Sequence, residues 1–288
     1  MSELPVVSIV TPSFNQAHFL ETTIRSVLEQ DYPRIEYIVV DGGSTDGSAD
    51  IIRKYEPDLA WWCSEKDGGQ ANAVNKGWRR ATGEIWSFLN SDDLLQPGAI
   101  REVVDAFCAH PTAGLVQGDW LWIDADGREM GRGHATVTTF RALLHNAAGI
   151  CQPASFYRSE VVRRVGLLDE ALHVVLDYEF ALRLARVSDV LHVARVLACS
   201  RLYPTTKTAV LTERLWDELF AVRARYGGRW MLKPRLHYLS YRLLRTMPFP
   251  AQMAFRRWRN SPNDRVYLDS QAISRKQPPA RTDDASPQ

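Results

Sequence analysis

Short apolar runs alternate with stretches of helical periodicity along the first third of the chain, and this alternation constrains the fold more than any other feature. The apolar, partly β-branched runs cover residues 6–10, 37–40, 59–63 and 85–89. Between them, apolar residues recur at helical spacing within residues 19–28, 51–55 and 71–81. Strands that alternate with helices predict an α/β fold with a mostly parallel, twisted sheet, helices on both faces and right-handed crossovers.

The pattern changes after residue 93, where strands and helices no longer alternate regularly. A turn at residues 124–127, with the sequence Asp-Ala-Asp-Gly, predicts a hairpin after the apolar residues 120–123. Further strands are expected at 154–157 and 190–198. Helices are expected over residues 99–109, 159–165, 177–186 and 211–226.

Two adjacent carboxylates, Asp92 and Asp93, directly follow the apolar run 85–89. In open α/β sheets, ligands bind at the carboxyl ends of the strands, and two neighbouring acids there favour a bound cation. Mg²⁺ is typically held by one or two carboxylates together with substrate phosphates. The alternative is that both acids serve the N-terminus of the helix that starts near Pro97, where Asp is favourable in its own right.

Asp41 ends another predicted strand and is followed by a loop of glycines and small hydroxyl residues, 42–48. Glycines allow a ligand to approach the backbone closely. A carboxylate in this position is suited to recognising a nucleobase edge or a ribose. Ser44 or Asp46 would instead cap the helix that contains Ile51.

Composition excludes several classes of protein. The chain has 288 residues with 35 Lys and Arg against 34 Asp and Glu, a net charge of +1, which argues against a nucleic-acid partner. Its four cysteines show no metal-ligand spacing and are interpreted as thiols of a reducing compartment. Neither a signal peptide nor a membrane-spanning segment is visible, so we expect a cytoplasmic protein.

The charge balance conceals a basic segment near the C-terminus. Residues 229–259 contain eight Lys or Arg and no Asp or Glu, interspersed with aromatic residues and leucines. Such a mixture is typical of a helix lying on anionic lipid, at the inner face of the cell membrane. The alternative is a helix packed on the main domain with a solvated basic face. We expect a helical basic extension over 209–272 and a disordered tail over 273–288.

Four ordered blocks of the sequence resemble the signature blocks of glycosyltransferase family 2. The resemblance extends from about residue 6 to about residue 207. The blocks cover residues 7–15 (VSIVTPSFN), 39–48 (VVDGGSTDGS), 64–77 (SEKDGGQANAVNKG) and 89–93 (LNSDD).

The resemblance implies a GT-A fold over residues 1–208, with a nucleotide-sugar half at about 1–95 and an acceptor half at about 96–208. It implies that Asp93 and Asp92 match the family's metal-binding element, which holds Mn²⁺ or Mg²⁺ against the donor diphosphate. The family often has Asp where this chain has Asn90. Residues assigned by the resemblance to donor binding are Thr11, Pro12, Ser13, Asp41, Asp67, Asn75, Asp92, Arg201 and Lys207. For Arg201 and Lys207, the alternative is a loop whose basic residues are only solvated.

The family transfers a sugar with inversion, which requires a base that removes the proton of the attacking acceptor hydroxyl. Asp177 falls on the position of that base in a block, 176–184, that is similar to the family's acidic block before an apolar helix. Leu176 stands where the family frequently has Glu, and an apolar neighbour favours a raised pKa for Asp177. A helix N-cap is the alternative role for Asp177. Gln152, in a further family-like block, is expected on the acceptor side.

The sequence therefore predicts an inverting, metal-dependent glycosyltransferase that uses a nucleotide-diphosphate sugar, with a UDP-sugar favoured. The acceptor is expected to be a glycan or a lipid-linked molecule, in cell-surface polysaccharide or glycolipid synthesis. Two alternatives remain. A sugar nucleotidyltransferase normally has a Gly-rich, basic phosphate loop near its N-terminus, and residues 11–15 (TPSFN) are not one. A non-catalytic subunit that binds a nucleotide sugar or glycan would keep the fold without the reaction.

Overall fold

The computed structural model of the chain describes residues 4–136, 138–207 and 212–227, together with residues 236 and 239. The strands are β1 (Val7–Ser13), β2 (Ile35–Asp41), β3 (Trp61–Ser64), β4 (Ile85–Phe88), β5 (Leu94–Leu95), β6 (Ala113–Ile123), β7 (Glu129–Gly133), β8 (Ser155–Arg158) and β9 (Asp189–Arg201). The helices are α1 (Ala17–Leu28), α2 (Ser48–Lys54), α3 (Gln70–Trp78), α4 (Ala99–Ala109), α5 (Phe140–His145), α6 (Ser159–Val165), α7 (Leu176–Ala185) and α8 (Thr212–Arg225).

The strands form one sheet in the order β3-β2-β1-β4-β8-β6-β9-β5, and β7 pairs with the outer part of β6. The predicted α/β class is confirmed. The sheet is less parallel than expected, because the described strands form four parallel and four antiparallel pairs. All pairing among β1 to β4 is parallel, and antiparallel pairing enters with the later strands. Apolar periodicity identifies a strand but carries no information on its direction.

The parallel strands end in register at one edge of the sheet. Ser13, the last residue of β1, pairs with Asp41, the last residue of β2, and Asp41 pairs with Ser64 of β3. On the other side of β1, Val10 pairs with Phe88 at the end of β4. The loops that carry the four signature blocks are therefore brought side by side.

Two apolar clusters fill the two faces of the sheet. One lies between the sheet and helices α3, α7 and α8, and the other packs mainly against α1 and α4. Trp78 is at the centre of the first cluster, with ring centroids 5.4 Å from Phe180 of α7 and 5.7 Å from Trp86 of β4. Its indole nitrogen donates to the carbonyl of Ser87 at 3.3 Å. Helix α7 is thus fixed to the sheet through aromatic contacts.

Two features differ from the sequence-based expectations. Helix α3 ends at Trp78 rather than near residue 81, and the short helix α5 was not predicted. The hydroxyl of Thr139 caps α5 by accepting from the backbone N–H of Ala142 at 3.2 Å. With six residues, α5 is too short to show a clear helical period in the sequence.

Helix α8 matches the helix expected over 211–226, and its side chains Leu219 and Val222 are buried. The predicted domain boundary at residue 208 stays a prediction. Most of the basic segment 229–259 and the whole tail 273–288 lie outside the described residues, although Leu236 and Leu239 are described and are exposed. In the described part of the chain, no helix has the length and apolar character needed to span a membrane.

Gly77 of α3 packs directly on β1, and a Cβ atom there would lie 2.6 Å from Cγ1 of Val10. We expect Gly77→Ala to lower the free energy of unfolding by about 1–3 kcal/mol, because the added methyl overpacks a buried contact. That cost exceeds the gain in helix propensity of up to about 1 kcal/mol. Equilibrium urea unfolding measures the effect.

Val10→Ala provides the matched variant for this contact, because it removes the methyl groups that the new side chain would meet. The double variant should be more stable than the sum of the two single effects indicates. Strictly additive effects would contradict the predicted clash.

Candidate functional site

A cavity of about 1190 Å³ opens where the parallel strands end. Its lining comes from the loops after β1, β2, β3 and β4 and from α7, α8 and the segment that follows β9. Among the residues predicted for the site, those that line the cavity are Pro12, Ser13, Asp67, Asp92, Asp93, Gln152, Asp177, Arg201 and Lys207.

The acidic pair lies at the base of this cavity. Asp93 is almost completely buried; its Oδ1 accepts from the backbone N–H of Arg201 at 2.9 Å, and its Oδ2 accepts from Asn90 Nδ2 at 3.1 Å. Asp92 Oδ2 accepts from the Tyr203 hydroxyl at 2.8 Å. Burial raises the pKa of both carboxyls, and the neighbouring charge of Asp92 raises that of Asp93 further. A positive ligand would relieve both effects.

These two carboxylates are suitable ligands for a hard divalent cation, which prefers oxygen donors and keeps water or phosphate in its remaining positions. The described residues contain no cluster of three or more His, Cys, Asp or Glu arranged to hold a metal. Asn90 occupies the position where the family often has a third acid. Its amide nitrogen donates to Asp93 and also to Gln152 Oε1 at 2.9 Å, and an Asp at this position would be unable to donate.

A chain of side-chain amides connects the acidic pair to the segment after β9. Lys207 Nζ donates to Gln70 Oε1 at 2.8 Å, and Gln70 Nε2 donates to Asn90 Oδ1 at 2.6 Å. Gln70 and Tyr203 were missed as individual site residues in the sequence, although both lie inside segments with a family resemblance. Their residue types did not indicate a functional site, because Gln and Tyr are common on ordinary protein surfaces.

Arg201 occupies the predicted place but has extensive contacts within the protein. Its guanidinium donates to the backbone carbonyls of Asp92, Asp124 and Ala125 at 2.8–3.0 Å, and it stacks over the ring of Phe19 at 4.7 Å. These contacts fix the β6–β7 turn against the acidic loop. The positive charge of Arg201 also lowers the pKa of Asp93 and Asp92, against the larger effect of burial.

Asp41 is fully buried behind the cavity wall rather than exposed in it. Its carboxylate accepts from the backbone N–H of Ser44 at 2.9 Å, from the Ser44 hydroxyl at 2.5 Å and from the Ser64 hydroxyl at 2.6 Å. In this structure Asp41 therefore organises the glycine loop. The carboxylate of Asp67 lines the cavity instead and accepts from the N–H of Gly69 at 2.7 Å.

Two other predicted donor-binding residues also point into the protein. The Thr11 hydroxyl is hydrogen-bonded to the Tyr37 hydroxyl at 2.9 Å. Asn75 is buried and holds the loop before α7, exchanging hydrogen bonds of 3.0 Å with both backbone groups of Leu168 and donating to Glu170. Neither residue is among those that line the cavity. Their predicted contact with the donor stays a prediction.

Asp177 is the second residue of α7 and faces the cavity. Its Oδ1 accepts from the backbone N–H of Tyr178 at 2.8 Å. Burial raises the pKa of Asp177, although the bonds from the backbone N–H groups of Tyr178 and of Asp177 itself and the charge of Lys207 oppose the shift. A partly desolvated carboxylate with a raised pKa is a stronger proton acceptor than an ordinary surface Asp.

Comparison with known proteins gives consistent results. The family model described as glycosyl transferase family 2 matches residues 8–166. An uncharacterised glycosyltransferase of Mycobacterium tuberculosis is 34% identical over 203 residues, which is 68% of this chain and 75% of that protein. A Bacillus subtilis protein named as a teichuronic acid biosynthesis glycosyltransferase is 44% identical over 92 residues, 31% of this chain and 36% of that protein.

Two solved structures are similar in fold. Residues 1–349 of Staphylococcus aureus TarS in complex with UDP-GlcNAc have a TM-score of 0.63 at 18% identity, covering 92% of this chain and 79% of that one. The Pyrobaculum calidifontis mannosyltransferase in complex with GDP-Man and Mn²⁺ has a TM-score of 0.59 at 23% identity, covering 96% and 82%. The predicted GT-A fold is thereby confirmed. Together with the family match over more than half of its length, this shows that the chain belongs to glycosyltransferase family 2.

Proposed function

We propose that this chain is an inverting glycosyltransferase that moves a sugar from a nucleotide-diphosphate sugar to an acceptor hydroxyl. The observation that carries the proposal is one cavity lined both by the adjacent acids Asp92 and Asp93 and by Asp177. The acidic pair is suited to a diphosphate with its cation, and Asp177 is suited to an incoming hydroxyl.

In the proposed reaction, the acceptor oxygen attacks the anomeric carbon from the face opposite the diphosphate. The bond between that carbon and the diphosphate oxygen breaks, and its electron pair leaves with the nucleoside diphosphate. Asp177 takes the proton of the acceptor hydroxyl as the new bond forms. Because attack and departure occur on opposite faces, the configuration at the anomeric carbon inverts.

Asp93 and Asp92 are the residues that would hold Mn²⁺ or Mg²⁺. Such a cation, when bound, offsets the negative charge that develops on the leaving diphosphate. Lys207 is held at the mouth of the site by Gln70 and is proposed to contact the diphosphate as well. Pro12, Ser13 and Asp67 are proposed to form the nucleoside end of the cavity.

For the donor we propose a UDP-sugar, in synthesis of a cell-surface polysaccharide. The named functions of relatives support this choice, since the TarS structures contain UDP or UDP-GlcNAc and one relative is named for teichuronic acid biosynthesis. The acceptor is proposed to be a glycan or a lipid-linked glycan. Contact with an anionic membrane remains a prediction for residues 229–259, which lie almost wholly outside the described residues.

The first test separates an enzyme from a binding subunit. We expect Asp177→Asn to lower the rate of nucleoside diphosphate release from the donor by about 10²–10⁴-fold, because the base is lost. UDP with Mn²⁺ should still raise the melting temperature of this variant, since ligand binding stabilises the folded state. UDP-GlcNAc and GDP-mannose serve as trial donors.

The control for this variant is Asp105→Asn, which removes an exposed carboxylate from α4. It should keep both release and stabilisation. Near wild-type release by Asp177→Asn would refute the base assignment. UDP binding without release of either nucleotide by the wild-type protein would favour the non-catalytic subunit.

A second prediction concerns the acidic pair. Asp93→Asn should abolish the rise in melting temperature that Mn²⁺ and UDP together produce, because one of two cation ligands is lost. Without ligands, loss of the buried charge should stabilise the variant at pH 7, and loss of one of the two hydrogen bonds that Asp93 accepts should oppose this gain. Differential scanning fluorimetry measures both effects. A full Mn²⁺-dependent shift in Asp93→Asn would exclude this residue as a ligand.

A third prediction is a pH dependence. Asp177 must be ionised to accept a proton, and its pKa lies above that of an ordinary Asp because of burial. The turnover rate should therefore fall as the pH is lowered through this raised pKa, at a higher pH than an exposed Asp would give. Donor binding, followed by thermal shift with saturating Mn²⁺ at the same pH values, should persist where turnover is already reduced, because a bound cation favours the ionised forms of Asp92 and Asp93. A parallel loss of both would assign the titration to Asp92 and Asp93 instead.

A further inference from the structure

Helix α8 lies beyond the segment that matches the family model, residues 8–166, yet it contacts the element that carries Asp177. Glu218 of α8 accepts hydrogen bonds from three consecutive backbone N–H groups just before α7: His173 at 3.1 Å, Val174 at 2.9 Å and Val175 at 3.3 Å. Only 11% of the Glu218 side chain is exposed. This contact has no part in the function proposed above.

The N-cap residue of α7 provides no side-chain acceptor for the start of this helix. Val175 is the N-cap residue of α7, and its apolar side chain accepts no hydrogen bond. Ser, Thr, Asp or Asn normally supplies an oxygen there, and the N-terminal end of a helix carries a partial positive charge. Glu218 supplies a carboxylate from another helix to the N–H groups that lead into α7.

Glu218 is held in its charged form by its surroundings. Burial acts to raise the pKa of Glu218, but the N–H of Val174, the Arg214 guanidinium and the N–H groups of His173 and Val175 together lower it. Arg214, one turn earlier on α8, donates to Glu218 Oε1 at 2.7 Å. The carboxylate is thus ionised and fixed in orientation.

The contact lies two residues from the proposed base. The carbonyl of Val175 accepts the first hydrogen bond of α7, from the N–H of Glu179 at 3.0 Å, while its own N–H donates to Glu218. Asp177 lies between Val175 and Glu179 in the chain, and its Oδ1 accepts from the N–H of Tyr178. The orientation of the Asp177 carboxylate therefore depends on how the first turn of α7 is held.

The rest of α8 keeps Glu218 in place. Leu219 and Val222 are buried in the cluster that also contains Phe180 of α7. At the end of α8, Arg225 pairs with Asp169 at 2.9 Å. Next to it, the Tyr226 hydroxyl donates to the Glu179 carboxylate at 2.6 Å. The C-terminal end of α8 is thus joined to α7 and to the loop that precedes it.

We propose that Glu218 is a positioning residue for Asp177, and that the catalytic unit therefore extends through α8 to about residue 227. The inference rests on the proposed function, in which Asp177 is the base. Glu218 is not among the residues that line the cavity. It acts by holding the first turn of α7 so that the carboxylate of Asp177 faces the attacking hydroxyl.

The test uses Glu218→Gln in the full chain. Gln keeps the size of the side chain but loses the charge, and its NH₂ group would meet the backbone and Arg214 donors. We expect kcat for nucleoside diphosphate release from UDP-GlcNAc or GDP-mannose, whichever the wild type uses, to fall about 10–100-fold, since a small misplacement of a reacting group has this effect. KM for the donor should stay within about twofold, because the acidic pair is untouched.

Two variants provide controls. Asp105→Asn removes an exposed carboxylate from α4, away from α7 and α8, and should leave kcat unchanged. Glu218→Asp keeps the charge on a shorter side chain and should retain more activity than Glu218→Gln. Hydrogen exchange of the backbone amides of residues 173–178 should be faster in Glu218→Gln, with the β1 to β4 amides unchanged.

The outcomes separate this inference from the proposed function. If Asp177→Asn abolishes release and Glu218→Gln keeps wild-type kcat, the positioning role is wrong and the function stands. A fall in kcat and a rise in donor KM together, with faster exchange throughout the protein, would show general destabilisation and would also overturn it. If the wild type releases no nucleotide, the function and this inference fail together, whatever the exchange rates show.

Discussion

Two adjacent carboxylates in the loop after β4, Asp93 buried and Asp92 partly buried, are the constraint on which the rest of the site depends. Placing Asp92 and Asp93 inside the protein raises the pKa of each, and each carboxylate takes a donor from the end of β9 or the residues that follow it. The donor to Asp92 is a side-chain hydroxyl and the donor to Asp93 is a backbone N–H, so neither neutralises the charge by pairing with a cation. The protein therefore stabilises the position of the acids without cancelling the charge that a ligand would use.

The avoidance of a direct ion pair also explains the role of Arg201. Its guanidinium is close enough to lower the pKa of both acids, yet it donates hydrogen bonds to the backbone carbonyls of Asp92, Asp124 and Ala125. A direct ion pair with Asp93 would compete with an incoming cation. By bonding to carbonyls, Arg201 instead joins the acidic loop to the β6–β7 turn and leaves the carboxylates to amide, hydroxyl and N–H donors.

The sequence predicted the first half of the fold well because strand, helix and loop follow one another there with clear periods. It also indicated a site at Asp92 and Asp93, because the ends of parallel strands meet at one edge, whereas Asp177, which lines the same cavity, was assigned only through the family resemblance. It did not reveal that Asp41 turns inward, since the type of a side chain at a strand end does not determine its partners. The sequence also did not reveal the direction of the strands after β4, because side chains alternate with a period of two in parallel and antiparallel strands alike.

Glu218 illustrates a more general limit of sequence reasoning. On an amphipathic helix, a Glu four residues after an Arg resembles a solvated ion pair, and its principal partners are backbone N–H groups 43–45 residues earlier in the chain. Backbone donors leave no trace in composition or spacing. The N–H of an N-cap residue such as Val175 has no partner within its own helix, so an acceptor must come from elsewhere. In this fold the acceptor comes from α8, which makes that helix part of the wall that orients Asp177.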